Sequence, residues 1–181
     1  MPRRSRFLGL PEGRVFLSPY RGEWRRLYRS ERARLRRDLG RRFRDIEHVG
    51  STAVPGLSAK PVLDLALTVK DLSKIGRLVK PLEKLGYEYK GEYGLPGRHF
   101  FVRGKPVTHH LHFVDVGSEH WRVWLLFRDY LRAHPEEARR YEKFKRAKAR
   151  KYANDRAAYT GSKSSFVVNM LRKAEKEART G

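Results

Sequence analysis

Two apolar stretches of this 181-residue chain carry ionisable groups where hydrocarbon would be expected. Asp64 stands inside VLDLALTV (62–69), and His110 and His112 stand inside THHLHFVDV (108–116). A carboxylate taken out of water loses several kcal/mol of solvation unless something pairs with it, so Asp64 needs a partner. If both stretches are strands, successive side chains alternate between faces. Asp64 then shares a face with Val62, Ala66 and Thr68, while Leu63, Leu65, Leu67 and Val69 form the other. In the second strand His110, His112 and Val114 share one face, with His109, Leu111, Phe113 and Asp115 opposite. With the apolar faces packed under helices, Asp64, His110 and His112 project onto one open face. A carboxylate with two imidazoles suits a divalent cation, and either histidine could instead orient a phosphate or act as a general base. The plainer alternative is a set of satisfied hydrogen bonds, with Asp64 holding a histidine or a backbone amide.

Fourteen residues before Asp64 stands Gly50-Ser51. Glycine lets a backbone approach a ligand closely, and N–H groups at a helix start together with a hydroxyl form a phosphate site. A Gly-Ser pair alone is common; followed by a strand acid it is more specific.

These groups need elements to hold them. RVFLSPY (14–20) and Phe43 to Val49 read as strands, and Pro61 opens the strand that ends at Val69. Between the first two, Trp24, Leu27, Tyr28 and Leu35 recur at helical spacing with arginines between them, and Gly40 stands where that helix would stop. Asp71 is an N-cap for a helix through Leu85. Residues 87–93 and 99–103 read as strands joined by Gly94-Leu95-Pro96-Gly97, and 108–116 as the last strand. Ser118 caps a helix through Ala133, His134-Pro135 starts a basic helix to about Tyr152, and a final helix runs from about Ser164 to Ala178. The pattern predicts one domain of the α/β (α+β) class: a mixed β-sheet with helices packed on one face, plus C-terminal helices.

The chain has 42 Lys and Arg against 20 Asp and Glu, a formal charge of +22. Residues 1–44 carry +11, residues 45–130 only +2, and residues 131–181 carry +9. Basic ends attract polyanions such as RNA, although arginine-rich solvent faces of amphipathic helices give the same count. No zinc-finger, basic-zipper or RNP pattern is present. The absence of cysteine excludes disulfides and thiolate metal sites. No stretch reaches the ~18 apolar residues of a membrane span, and a cytoplasmic protein with no membrane partner is expected.

The Gly-Ser turn with an aspartate on the next strand resembles the active-site signature of the DNA polymerase beta-type nucleotidyltransferase superfamily. More closely, HVGSTAVPGL (48–57) with Ala59-Lys60-Pro61 and Asp64 resembles the GrpB family, also called UPF0157. Pro19-Tyr20, Trp24, His110-Leu111-His112, Phe127-Arg128-Asp129-Tyr130-Leu131, Tyr159-Thr160, Lys163 and Phe166 are similar to further landmarks of that family, across roughly residues 13–172. The flanks, 1–12 and 173–181, are expected to be flexible charged ends.

The resemblance implies a nucleotidyltransferase-like fold that binds a nucleoside triphosphate and transfers a nucleotidyl group with Mg²⁺ or Mn²⁺. Carried over by motif, His48, Gly50, Ser51 and Thr52 belong to the substrate-binding turn, and Asp64 takes the first metal-ligand role, with His110 and His112 beside it. Lys60, Arg98, Arg103 and Lys163 would neutralise developing charge; Lys60 and Lys163 stand at family-like positions, and each read singly is equally an exposed lysine or a helix-end charge. The superfamily places a second carboxylate two residues after the first, and Ala66 stands there. A catalytically degenerate nucleotide- or RNA-binding module is therefore the alternative.

Overall fold

Buried backbone N–H and C=O groups must be paired, and here five short apolar segments satisfy one another in a single sheet. The structure, a computed structural model, describes residues 7–180. Strands β1 (Ile46–Val49), β2 (Leu63–Val69), β3 (Tyr87–Tyr89), β4 (His99–Arg103) and β5 (His109–Asp115) lie in the order β1-β2-β5-β4-β3. Only β2 and β5 are parallel; the other neighbours are antiparallel. The central β2 is buried along its length except at Asp64, as its nearly continuous apolar sequence requires.

Register decides which groups meet. Asp64 lies opposite His110 on β5 and Val49 on β1, and Ala66 lies opposite His112. The other face, with Leu63, Leu65, Leu67, Leu111 and Phe113, packs on α1 (Glu23–Leu39) and α2 (Gly76–Lys84) through Trp24, Leu35, Leu78 and Leu82. Arg25, Arg26, Arg29 and Arg32 form the solvent side of α1.

A second core joins α3 (Glu119–Ala133), α4 (Pro135–Lys151) and α6 (Ser164–Thr180) to the segment before β2, with Leu131, Tyr141 and Met170 against Val54 and Leu57. The face of the sheet that carries Asp64 is thus bordered by the C-terminal helices. Arg128 of α3 donates to Glu47 and to the His48 carbonyl, at 2.6 and 3.0 Å.

Several expected elements are corrected. Residues 14–20 form no strand, because their backbone bonds diverge: Ser18 pairs with Ala59, while the Val15 N–H reaches the Ala153 carbonyl. The strand expected from Phe43 begins at Ile46, since the Asp45 N–H bonds the Thr68 side chain. The helix expected over 71–85 is split into a 3₁₀ turn, Leu72–Lys74, and α2, because Asp71 caps the Ser73 N–H and Asp115 captures the Leu72 N–H. A short helix, α5 (Arg156–Gly161), was not legible in the periodicity. Leu10 is fully buried and paired with Val107, and α6 continues to Thr180 with Ala174 buried and Glu175 paired with Arg122. Parts of the expected flexible ends, within residues 7–12 and 173–180, thus make contacts with the fold; residues 1–6 and 181 lie outside the described residues. Among the described residues no helix is long and apolar enough to cross a membrane.

Candidate functional site

Asp64 finds its partners across the parallel strand pair. His110 Nδ1 lies 2.9 Å and His112 Nε2 3.1 Å from its Oδ1. Partial burial pushes the carboxyl up, but the bonds from His110 and His112 outweigh it and hold Asp64 well below the usual carboxylate range. Burial lowers His110 in turn, against the pull of Asp64, and favours its neutral form. Both histidines bond Oδ1, which leaves Oδ2 turned towards Gly50.

Gly50 (φ 70°) makes that approach possible. A Cβ on it would lie 2.9 Å from Asp64 Oδ2, and its left-handed backbone disfavours any side chain. The chain then turns through the 3₁₀ segment Ser51–Ala53. Arg132 of α3 fixes the end of this turn with two bonds to the Ala53 carbonyl, at 3.0 and 2.8 Å.

Cations converge on this turn. Lys145 of α4 donates to Ser51 Oγ at 3.0 Å and to the Ser58 carbonyl at 2.6 Å. Lys60 and Lys163 stand over the Tyr159 ring, 5.5 and 4.3 Å from its centroid. Arg156 of α5 donates to His110 Nε2 at 3.1 Å. Burial, reinforced by Lys163 and Arg156, brings Lys60 down to about 7. Burial brings Lys163 down to about 8, with Asp64 opposing and Arg156 adding to the shift. Lys145, 1 % exposed, is held well below its ordinary value by burial and then by Lys163. These are cations crowded together without enough anions, an arrangement that favours an incoming anion.

The nitrogen and oxygen atoms of Asp64, His110 and His112 that face one another lie within 4.8 Å, close enough to share one cation. Their surroundings fit Mg²⁺ or Mn²⁺ poorly. The cluster has one carboxylate, and Lys60, Lys163, Arg98 and Arg156 all act on the same small space, whereas these ions are held by several anionic oxygens.

A profile of the GrpB protein family matches residues 14–173. The chain belongs to the GrpB family. It is 40% identical over 175 residues to a UPF0157 protein of Pseudomonas aeruginosa, covering 94% of this chain and 72% of that protein. The crystal structure of conserved protein GrpB from Enterococcus faecalis superposes with a TM-score of 0.83 at 32% identity, covering 90% of this chain and 99% of that one. A more distant likeness, 31% over 167 residues, joins 78% of this chain to 41% of a dephospho-CoA kinase of Mycolicibacterium paratuberculosis.

Of the residues proposed from sequence, this GrpB-family structure brings together Gly50, Ser51, Lys60, Asp64, His110, His112 and Lys163. Arg98 joins them from the β4 side: it donates to His112 Nδ1 at 3.4 Å and to the Glu92 and Tyr93 carbonyls, and lies over Phe100. His48 and Thr52 face elsewhere. His48 stacks on Tyr28 of α1 and bonds Thr52 Oγ1 at 2.9 Å, and burial lowers it to about 4. They brace the turn from behind. Arg103 is on the opposite face of the sheet, bonded to Glu31 at 2.7 Å and to His109, and does not reach Asp64. Sequence reasoning missed Lys145 and Arg156. A signal for Lys145 exists: it occupies the buried stripe Ala138, Tyr141, Lys145, Ala149 of α4, where a lysine interrupts the inward helical spacing. Arg156 carried none.

Proposed function

We propose that this chain is a nucleotidyltransferase-like protein that binds the phosphates of a nucleoside triphosphate between the Gly50-Ser51 turn and the C-terminal helices. The observation that carries the reading is the convergence of Lys60, Lys145, Lys163 and Arg156 on the Ser51 and Asp64 site from the segment before β2, from α4, from α5 and from the turn before α6. Cations whose burial lowers their pKa regain charge and solvation-like contacts when a polyanion enters. In the transfer reading, an acceptor hydroxyl donates to Asp64 Oδ2, the oxygen the histidines leave free, while the lysines stabilise charge on the phosphoryl oxygens. The more distant relatives that carry the name dephospho-CoA kinase support a setting of phosphate chemistry.

A second reading is a module that binds nucleotide or RNA without turnover. It is favoured by Ala66, which is fully buried on the Asp64 face opposite His112 and supplies no second carboxylate. Calorimetric titration with the four triphosphates, with and without added Mg²⁺, tests binding. Saturable heat that is lost in the Lys60→Met/Lys163→Met variant is expected, and no heat above dilution with any triphosphate would sink the transfer reading and the nucleotide form of the second, leaving RNA binding to a separate titration. Incubation with labelled triphosphate and an acceptor pool then separates them by label transfer.

A further inference from the structure

The outer nitrogens of His110 and His112 meet unusual neighbours. Arg156 Nη2 lies 3.1 Å from His110 Nε2, and Arg98 Nη1 lies 3.4 Å from His112 Nδ1. A guanidinium has donors and no acceptor. Each of these outer nitrogens must therefore present its lone pair, and the ring proton is left on the inner nitrogen: Nδ1 of His110 and Nε2 of His112. Those are the two atoms that face Asp64 Oδ1, at 2.9 and 3.1 Å. A metal-binding histidine has the reverse arrangement, with its inner nitrogen free to ligate and its outer N–H donated to a carboxylate or carbonyl. Among the described residues, neither ring has such an acceptor behind it.

The guanidiniums are themselves anchored. Arg98 also donates Nη2 to the Glu92 and Tyr93 carbonyls, at 2.8 and 2.9 Å, and lies 4.7 Å from the Phe100 ring. The same Phe100 packs against both histidines, each ring centroid 5.0 Å from its own, and Trp124 closes on His112 from α3 at 5.3 Å. The rings are thus held by packing as well as by hydrogen bonds.

We propose that Asp64, His110 and His112 form a metal-free clasp in which Arg156 and Arg98 impose the histidine tautomers, so that two N–H groups hold the carboxylate and its free oxygen, Oδ2, accepts a hydrogen bond from a hydroxyl or amine of the ligand. Arg98 and Arg156 are positioning residues: they act on Asp64 through the imidazoles. The clasp supplies a carboxylate acceptor in a ring of cations, so the ligand class it selects carries an O–H or N–H donor close to its anionic group. The donor-selecting part rests on the phosphate reading above; the tautomers and the absence of a metal ligand set do not.

The deciding measurement is long-range ¹H–¹⁵N correlation on the ligand-free, histidine-labelled full chain. His110 is expected to be protonated at Nδ1 and His112 at Nε2, and addition of Mn²⁺ or Zn²⁺ is expected to leave both patterns unmoved, whether or not metal binds at other histidines. The Arg98→Glu/Arg156→Glu variant, which places an acceptor behind each ring, is expected to gain at least tenfold in Zn²⁺ affinity at His110 and His112, while Arg156→Lys keeps the parental tautomer at His110. Protons found on the outer nitrogens, or one equivalent of metal shifting both rings in the parent protein, would overturn the proposal. Because the parent alone decides, a variant that misfolds does not obscure the outcome. The tautomers are read without nucleotide, so failure here is distinct from failure of triphosphate binding.

Discussion

Lys145, in the middle of α4, donates from Nζ to the hydroxyl of Ser51, ninety-four residues earlier and 3.0 Å away. That bond ties the C-terminal helices to the turn that enters the Asp64 strand. It also buries an amine, 1 % exposed, with no carboxylate bonded to it, where burial disfavours the charged form. Such a group costs stability and is explained by the charge it regains when an anion arrives.

Replacement of Lys145 by methionine should therefore separate binding from stability. We expect triphosphate affinity to fall about tenfold or more, the loss of one charge-assisted bond, while the melting temperature stays level or rises, since an apolar side chain of similar length suits the stripe. Paired calorimetry and thermal melting check this. A large fall in melting temperature with unchanged affinity would make Lys145 a structural residue only.

The lowered lysines predict opposite pH trends for binding and for stability. With Lys60 near 7 and Lys163 near 8, both lose charge as pH rises from 6 to 9. Affinity for triphosphate falls over that window, and binding above pH 7 takes up protons, visible as a dependence of the heat on the ionisation enthalpy of the buffer. Stability of the free protein moves the other way. Both lysines are depressed in the folded chain, so above about pH 7 the unfolded chain holds more protons, and stability rises with pH up to the ordinary lysine range near 10. Denaturant midpoints at pH 6.5 and 9 measure the sign.

Gly50→Ala should damage the site at its narrowest point. The new Cβ would sit 2.9 Å from Asp64 Oδ2 on a backbone with φ 70°, which costs about 1–3 kcal/mol and forces the carboxylate away from its clasp. Loss of triphosphate binding with a moderate drop in the denaturant midpoint is expected.

Arg103→Met provides the contrasting case. Its guanidinium lies on the α1 and α2 side with Glu31, Tyr87 and His109, and Glu31 is buried. Removal leaves a buried carboxylate short of a partner and should destabilise the protein by about 3 kcal/mol. Triphosphate affinity at a temperature where the variant is folded should stay within about twofold of the parent, given the usual independence of separated sites.

The sequence by itself determined the apolar alternation that forms β2 and β5, the side of each strand on which Asp64, His110 and His112 stand, and the glycine that precedes Ser51. Period-two and period-3.6 patterns are local, and local chemistry writes them. It also determined most helices, including the Ser118 cap that starts α3. What it left undecided was register and approach across distance. Strand pairing places His110 beside Asp64, and a shift of one residue would have turned the histidines away. Arg103 and Arg98 read alike as basic residues near strand β4, yet alternation along the strand and packing beneath it send one to Glu31 and the other to His112. Lys145 and Arg156 lie far along the chain, in segments whose composition reads as solvated helix. Only the packing of α4 and α5 in the folded protein turns those two charges inward to Ser51 and His110, because contacts between distant residues are decided by how whole elements pack and not by any local spacing.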